Sequence, residues 1–425
     1  MQRTNPVTRG RLGRRVRSTV GLTAVAGLAL GLSACSGGSA DSGMDGSTVS
    51  MFTWVGSPDE KAQWQAYVDA AKQADPDVDV AFSGPAIGSY YTKLATQLRG
   101  SDAPCIVTLQ NGRVTRYAGA LEPLDELAKD AGVDIGEYDE SMIAQLSHEG
   151  SVYALPYDAE PMVMYYNKAL FAEAGVAEPE VGWTTDEFLA AAEATTKDGV
   201  SGFAIGQGIG GISVWLEANG ETYISEDGVA DLQDPAFVDR FQFVVDLATE
   251  KGVAKPLEAS GGTFPDIDQF SSGQAAMFIN GTWDLTHQQE EIGEENLGVA
   301  TIPTDDGDPR GSIAGTGFAI TETCSDKPAA FAAISAMTGP EAQQSVAASR
   351  KQVPARADSL EAWQGAVGEE AATVVAALTE NGQVVPSAVD ADKLGDLFQQ
   401  YEANAFSGTS TVEEVLQQVS DGAAR

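Results

Sequence analysis

The chain is predicted to be an α/β protein with two domains, and three observations carry that prediction. Short apolar segments alternate with helical patterns directly after Val49. A second series of elements follows Val152, and proline-bearing extended stretches at Pro156 and Pro303 mark crossovers between the two. A length of 425 residues leaves enough chain for two hydrophobic cores.

The first element is a leader over residues 1–34. Arg3, Arg9, Arg11, Arg14, Arg15 and Arg17 make it basic, and residues 20–34 are uncharged. That apolar run is shorter than the about 20 residues a membrane-spanning helix requires. Leu32-Ser33-Ala34-Cys35 resembles a bacterial lipobox, which implies cleavage before Cys35 and acylation of its thiol. An ordinary secreted protein cut nearby is the alternative. Residues 35–47 are rich in Gly and Ser and read as a flexible tether. The expected location is extracytoplasmic, with a lipid anchor holding the chain to the cell membrane.

The formal net charge is −37, and residues 1–34 hold six arginines and no acid, so the remainder carries −43. Nucleic-acid binding is excluded, because phosphate attraction needs clustered Lys and Arg. Anionic lipid would repel such a surface, which leaves the acyl chain as the membrane contact. With Cys35 acylated, Cys105 and Cys324 remain, an even pair compatible with one disulfide in an oxidising compartment. Two free buried cysteines are the alternative. Neither has a cysteine or histidine at metal-ligand spacing, so no metal site is expected.

Residues 49–55 predict a strand. Ser57, Pro58 and Glu60 form a helix start, with a capping hydroxyl, a proline at the first helical position and a carboxylate to close the box. Trp64, Tyr67, Val68 and Ala71 follow at helical spacing, and Asp75-Pro76 ends the run. Val78, Val80 and Phe82 alternate as a second strand; Tyr91, Leu94 and Leu98 mark a helix; residues 105–109 form a third strand. This alternation implies a parallel sheet with helices on its faces. Ligands of such sheets bind beyond the carboxyl ends of the strands, where Trp54 and the pair Gln110-Asn111 fall.

Beyond the crossover at Pro156, helices are expected over residues 167–174, after the Thr184/Glu187 capping box, and after Asp234-Pro235. A helix-to-strand segment covers residues 270–283. The second crossover is expected at Ile302-Pro303-Thr304, then a Gly-rich stretch and a strand over residues 318–321. Lys327-Pro328 begins a largely helical remainder. Pro156, Pro303 and the stretch before Lys327 are the expected hinges.

Several segments together carry a family likeness. Tyr153-Ala154-Leu155-Pro156-Tyr157-Asp158 and Met164-Tyr165-Tyr166-Asn167-Lys168 resemble the first crossover and next helix start of extracellular solute-binding proteins of bacterial sugar ABC importers. Gly273-Gln274-Ala275-Ala276-Met277 and Asn280-Gly281-Thr282-Trp283 are similar to a later signature of that family. Trp215-Leu216-Glu217-Ala218-Asn219-Gly220, Gly315-Thr316-Gly317-Phe318 and Val353-Pro354-Ala355-Arg356 complete the order. The likeness runs over most of the chain from Val49. Gln274 departs from it where a lysine is usual, and Cys105 where an acidic residue is common.

The resemblance implies a two-lobed, periplasmic-binding-protein-like fold, each lobe a helix-flanked, mostly parallel sheet, joined by hinge crossovers. Lobe one is expected at 48–156 plus 304–326, and lobe two at 157–303 plus 327–425. A monomer is implied that captures a sugar or oligosaccharide in the cleft and passes it to ABC permease subunits, with no cofactor and no catalysis.

A sugar presents flat C–H patches and a rim of hydroxyls, so its site needs aromatic faces and planar polar groups. Each buried hydroxyl left unpaired costs about 1–3 kcal/mol, which is how such a site rejects the wrong epimer. Trp54, Tyr157, Trp215 and Trp283 are the stacking candidates. Gln110, Asn111, Asp158, Glu160, Glu217, Asn219 and Arg356 are the hydrogen-bonding candidates. Asp158 and Glu160 also raise the alternative of a surface glycosidase, which needs two carboxyls flanking a bond. A further alternative is a non-sugar solute such as a peptide, polyamine or glycerophosphodiester. Gly206-Gln207-Gly208-Ile209-Gly210-Gly211 lacks the Lys-Ser/Thr of a P-loop, so no nucleotide site is expected.

Overall fold

The computed structural model describes residues 48–100, 103–225, 228–258, 264–383 and 388–424. The leader, the tether and Cys35 lie outside them. The two main sheets comprise, among the described residues, ten strands: β1 (Thr48–Phe52), β2 (Asp79–Ser83), β3 (Ile106–Gln110), β4 (Ala154–Pro156), β5 (Glu160–Asn167), β6 (Met277–Gly281), β7 (Leu297–Ala300), β8 (Gly311–Ala314), β9 (Thr316–Ile320) and β10 (Gly382–Gln383).

The first lobe is built on a sheet of order β2-β1-β3-β9-β4. Both neighbours of β1 run parallel to it, whereas β9 is antiparallel to β3 and to β4, with Phe318 opposite Thr108 and Leu155. The helix Pro58–Ala74 starts as its sequence dictates. The Ser57 hydroxyl accepts the Glu60 N–H at 3.1 Å, the Glu60 carboxylate accepts the Ser57 N–H, and Pro58 fills the first helical position. Its buried stripe of Trp64, Tyr67 and Ala71 packs on the sheet with Ile106, Leu155 and Phe318. A disulfide joins Cys105, just before β3, to Cys324, just after β9.

The second lobe holds a sheet of order β10-β8-β5-β6, with β7 pairing β5 as well. Here β5 is antiparallel to β6, β7 and β8, and only the short β8–β10 pairing is parallel. The expectation of mostly parallel sheets therefore fails: the sheet of lobe one is mixed, two pairings parallel and two antiparallel, and that of lobe two is mostly antiparallel. No alternating strand–helix run of the kind that opens lobe one links β5 to its neighbours. Capping boxes and prolines again set the helices: Thr184 with Glu187 starts Thr185–Thr195, and Asp234 with Pro235 starts Pro235–Thr249. Phe188, Phe203, Trp215, Phe237 and Phe241 fill the larger core of this lobe.

The lobe boundaries differ from those expected. Ile302 is buried in the core of lobe two, and Thr304 pairs with Thr184, so Pro303 is no hinge. The second crossing is at Gly315, between β8 in one sheet and β9 in the other. Nothing larger than glycine fits there, since an added Cβ would lie 2.2 Å from Met142 Cε and 2.7 Å from the Asp158 carbonyl oxygen. The helices Lys327–Met337 and Pro340–Arg350 pack on Pro58–Ala74, so they belong to lobe one. The stretch before Lys327 consequently stays in lobe one, and the third crossing follows Arg350. There Ala159 donates to the Val353 carbonyl at 3.1 Å and Asp158 pairs with Pro354. Local pattern identifies these helices but carries no signal for which sheet they cover.

Candidate functional site

Residues from both lobes line a cavity of about 970 Å³. Lobe one supplies Tyr91 and Thr92 from the helix Ile87–Gln97, then Arg113 and Arg116 beyond the carboxyl end of β3. Lobe two supplies the Gly-rich loop at Gln207 and Gly208 and the face of the helix Ala391–Tyr401 that carries Asp392 and Gln399. A second cavity of about 190 Å³ is lined by Asn111, Glu217, Tyr223 and Ser312. Ile209 and Ala391 line both, so the smaller space adjoins the larger.

The walls are aromatic and polar. The Arg113 guanidinium lies 4.1 Å from the centre of the Tyr91 ring, and that of Arg116 lies 5.6 Å from the Tyr117 ring. Tyr91 and Tyr117 stack at 6.2 Å with 17° between their planes. The Tyr91 hydroxyl accepts the Gln110 N–H at 3.0 Å, and burial pushes its phenol up to about 12. Both arginines form ion pairs with Asp392, the helix Ala391–Tyr401 thus meeting lobe one across the cleft. Burial raises the Glu217 carboxyl above its ordinary range, opposed by hydrogen bonds from Ser312 and Ser213.

Of the residues expected in the site, Asn111 and Glu217 come together in the smaller cavity. Asn111 Nδ2 donates to Gln145 Oε1 at 2.5 Å, which leaves its carbonyl oxygen available to a ligand donor. Gln110 ends β3 half-buried. Trp283 is 50 % exposed beside Gly281, whose missing side chain makes room for the indole. Trp54 is half-buried at the end of β1, edge-on to Trp64 and Tyr90.

The remaining candidates are structural. Tyr157 is 1 % exposed, stacked on Phe318 and edge-on to Trp64 and Tyr67. Trp215 is equally buried among Phe188, Phe203 and Phe243. Neither offers a ring face to a ligand, because each is enclosed by the other aromatic side chains of its core. Asn219 bonds the Trp215 carbonyl and accepts the Asp305 N–H, both at 2.9 Å, and so fixes a helix end. Arg356 is held by Glu137 at 2.6 Å and Asp358 at 2.9 Å, over the Tyr138 ring.

Asp158 and Glu160 lie on the crossovers. Asp158 accepts the Thr316 N–H at 2.5 Å and Gln352 Nε2 at 2.8 Å; Glu160 accepts the Val353 N–H at 3.2 Å and the Thr282 hydroxyl. The two carboxyls thus tie together all three crossing segments. Burial raises both, Glu160 to about 8, and the Glu160 charge raises Asp158 further. All four carboxyl oxygens have protein hydrogen-bond partners, away from both cavities, which is the arrangement of a hinge fastening.

Tyr91, Arg113, Arg116, Tyr223 and Asp392 were missed by motif reading. The rule that ligands lie beyond strand carboxyl ends points to Arg113, three residues past β3. The helix Ala391–Tyr401 gives no such local clue.

Residues 56–344 match the family described as bacterial extracellular solute-binding protein. The chain belongs to that family. Within it, the chain is 26 % identical over 326 residues to the diacetylchitobiose binding protein DasA of Streptomyces coelicolor, covering 70 % of this chain and 72 % of DasA. Among solved structures it resembles the GacH receptor of Streptomyces glaucescens, studied unliganded and with acarbose. That match has a TM-score of 0.75 and 25 % identity, over 88 % of this chain and 97 % of the receptor. The ABC substrate-binding protein Lmo0181 of Listeria monocytogenes, in complex with cycloalternan, has the same fold. Its TM-score is 0.78 at 24 % identity, over 88 % and 97 % of the two chains. The two-lobed α/β architecture is thus the family's own.

Proposed function

We propose that this chain is the saccharide receptor of an ABC importer, anchored outside the cytoplasmic membrane by an acylated Cys35 and acting as a monomer. The observation that carries the reading is the 970 Å³ cleft, lined from both lobes by tyrosine, arginine and amide side chains. A space of that size suits an oligosaccharide. The relatives support the same class: DasA is named for diacetylchitobiose, and GacH was solved with acarbose.

The mechanism is selection of a closed form. Open and closed arrangements of the lobes interconvert about the crossings at Asp158, Gly315 and Val353, and a ligand touching both walls stabilises the closed one. Tyr91 supplies an apolar ring edge from lobe one, while Asn111, Glu217 and Ser312 pair with hydroxyls in the inner cavity. The permease subunits read the closed form.

A thermal-shift screen of the chain beginning at Cys35 against mono- and oligosaccharides tests this, since a ligand that binds only the native state raises its melting temperature. At least one oligosaccharide should raise Tm and be recovered unaltered. Replacing Asn111 by Ala should weaken that ligand at least tenfold. Turnover of the ligand would instead indicate an enzyme.

A further inference from the structure

In a chain with 25 basic residues against 62 acidic ones, the cleft wall concentrates positive charge. Arg99, Arg113, Arg116 and Lys393 all line the 970 Å³ cavity. Of these, Lys393 comes from lobe two, beside three carboxylates, Asp390, Asp392 and Asp396, and its Nζ donates to the Ala423 carbonyl oxygen at 2.6 Å. The wall of lobe one therefore presents cations alone.

Two of these cations are built into place. Arg113 and Arg116 rest on the stacked rings of Tyr91 and Tyr117, and the Tyr91 hydroxyl is itself fixed by the Gln110 N–H. Pre-placed guanidiniums lose little freedom on pairing with a planar anion, and they do so through two parallel N–H donors. Between them they share one carboxylate, Asp392, so the contact carries one positive charge in excess. The helix Gly210–Ala218 also starts at this cavity, but Glu402 already accepts the Gly208 N–H there at 2.9 Å, so the two arginines carry the positive charge.

We propose that Arg113 and Arg116 form an anion subsite of the cleft, and that the saccharide this receptor takes carries a carboxylate or a phosphate there. The inference rests on the receptor reading above and narrows its substrate class. Asp392 occupies the subsite while the ligand is absent. A ligand anion takes over its two arginine partners, and the helix Ala391–Tyr401 adjusts as the lobes close around the sugar. Neutral oligosaccharides leave the Asp392 pairs in place and gain nothing from the arginines.

Titration calorimetry on the chain beginning at Cys35 tests this with two matched pairs. Xylotriose capped by glucuronic acid against xylotetraose probes a carboxylate; maltose 6′-phosphate against maltose probes a phosphate. In at least one pair the charged member should bind tenfold or more tighter at 50 mM salt, with the advantage shrinking at 300 mM. The double variant Arg113→Gln, Arg116→Gln should lose that advantage. Asp392→Asn, which frees both arginines, should strengthen charged-ligand binding severalfold. Circular dichroism of each variant separates loss of the subsite from loss of fold. Equal binding of neutral and charged members, or an advantage that survives the double variant, overturns the anion subsite and leaves the receptor reading standing. No binding in either pair counts against both.

Discussion

The hinge carboxyls give the most quantitative prediction. Glu160 is 1 % exposed, and burial raises its carboxyl from an ordinary 4.5 to about 8 despite the Thr282 and Val353 donors. A carboxyl raised on folding stays protonated in the native state after the unfolded chain has released its proton. Its contribution is fully present below pH 4.5 and is lost as pH rises through 8. At about 1.4 kcal/mol per unit, the loss is on the order of 5 kcal/mol. Glu160→Gln removes the titration but keeps the shape: the amide oxygen still accepts the Val353 N–H, and the amide nitrogen donates to the Thr282 hydroxyl. Unfolding of roughly 380 residues at ~2.1 cal/mol/K each makes 5 kcal/mol equivalent to about 6 °C. Calorimetric melts at pH 5, 6.5 and 8 should show near-equal Tm at pH 5 and a variant several degrees more stable at pH 8. A constant difference across that range would refute the reasoning. So would a variant whose Tm falls between pH 5 and pH 8 as steeply as that of the parent, since only the share due to Asp158 and the other buried carboxyls should remain.

Three further outcomes are expected. Replacing Trp283, half-exposed and lining neither cavity, by Ala should leave Tm within about 1 °C and saccharide affinity within about threefold by calorimetry; a tenfold loss would bring it into the site. Gly315→Ala should sharply lower Tm, because its Cβ would meet Met142 and the Asp158 carbonyl oxygen, and Gly315→Ala with Met142→Ala should recover only part of the loss. Thiol titration of the denatured, non-reduced chain lacking Cys35 should find none free, and replacing Cys105 and Cys324 by serine should cost about 2–5 kcal/mol in urea melts.

The first lobe was largely legible because its signals are local. The Ser57 capping box, the stripe of Trp64, Tyr67 and Ala71, and the alternation that gives β1 to β3 each depend on neighbours within a few residues. What escaped depends on distant partners. Thr304 looked like a crossover but is fixed by Thr184, and Gly315 looked like a loop but is the crossing itself. The helices Lys327–Met337 and Pro340–Arg350 return to lobe one through contacts with Pro58–Ala74, which no pattern within them announces.

The site followed the same division. Asn111 and Glu217 reached the cleft, whereas Tyr157 and Trp215, equally plausible as flat faces, were taken up by the cores. A buried aromatic and a stacking aromatic have the same sequence signature; only the surrounding volume separates them. Arg113 and Arg116 have no motif of their own, and Asp392, which answers them, is more than 270 residues away along the chain.

Small-angle scattering of the chain beginning at Cys35, with and without a saturating saccharide taken from the thermal-shift screen, tests lobe closure most directly. The radius of gyration should fall on adding the ligand, and calorimetry on the same sample should give one ligand per chain. An unchanged scattering profile at demonstrated saturation would contradict capture by closure of the two lobes.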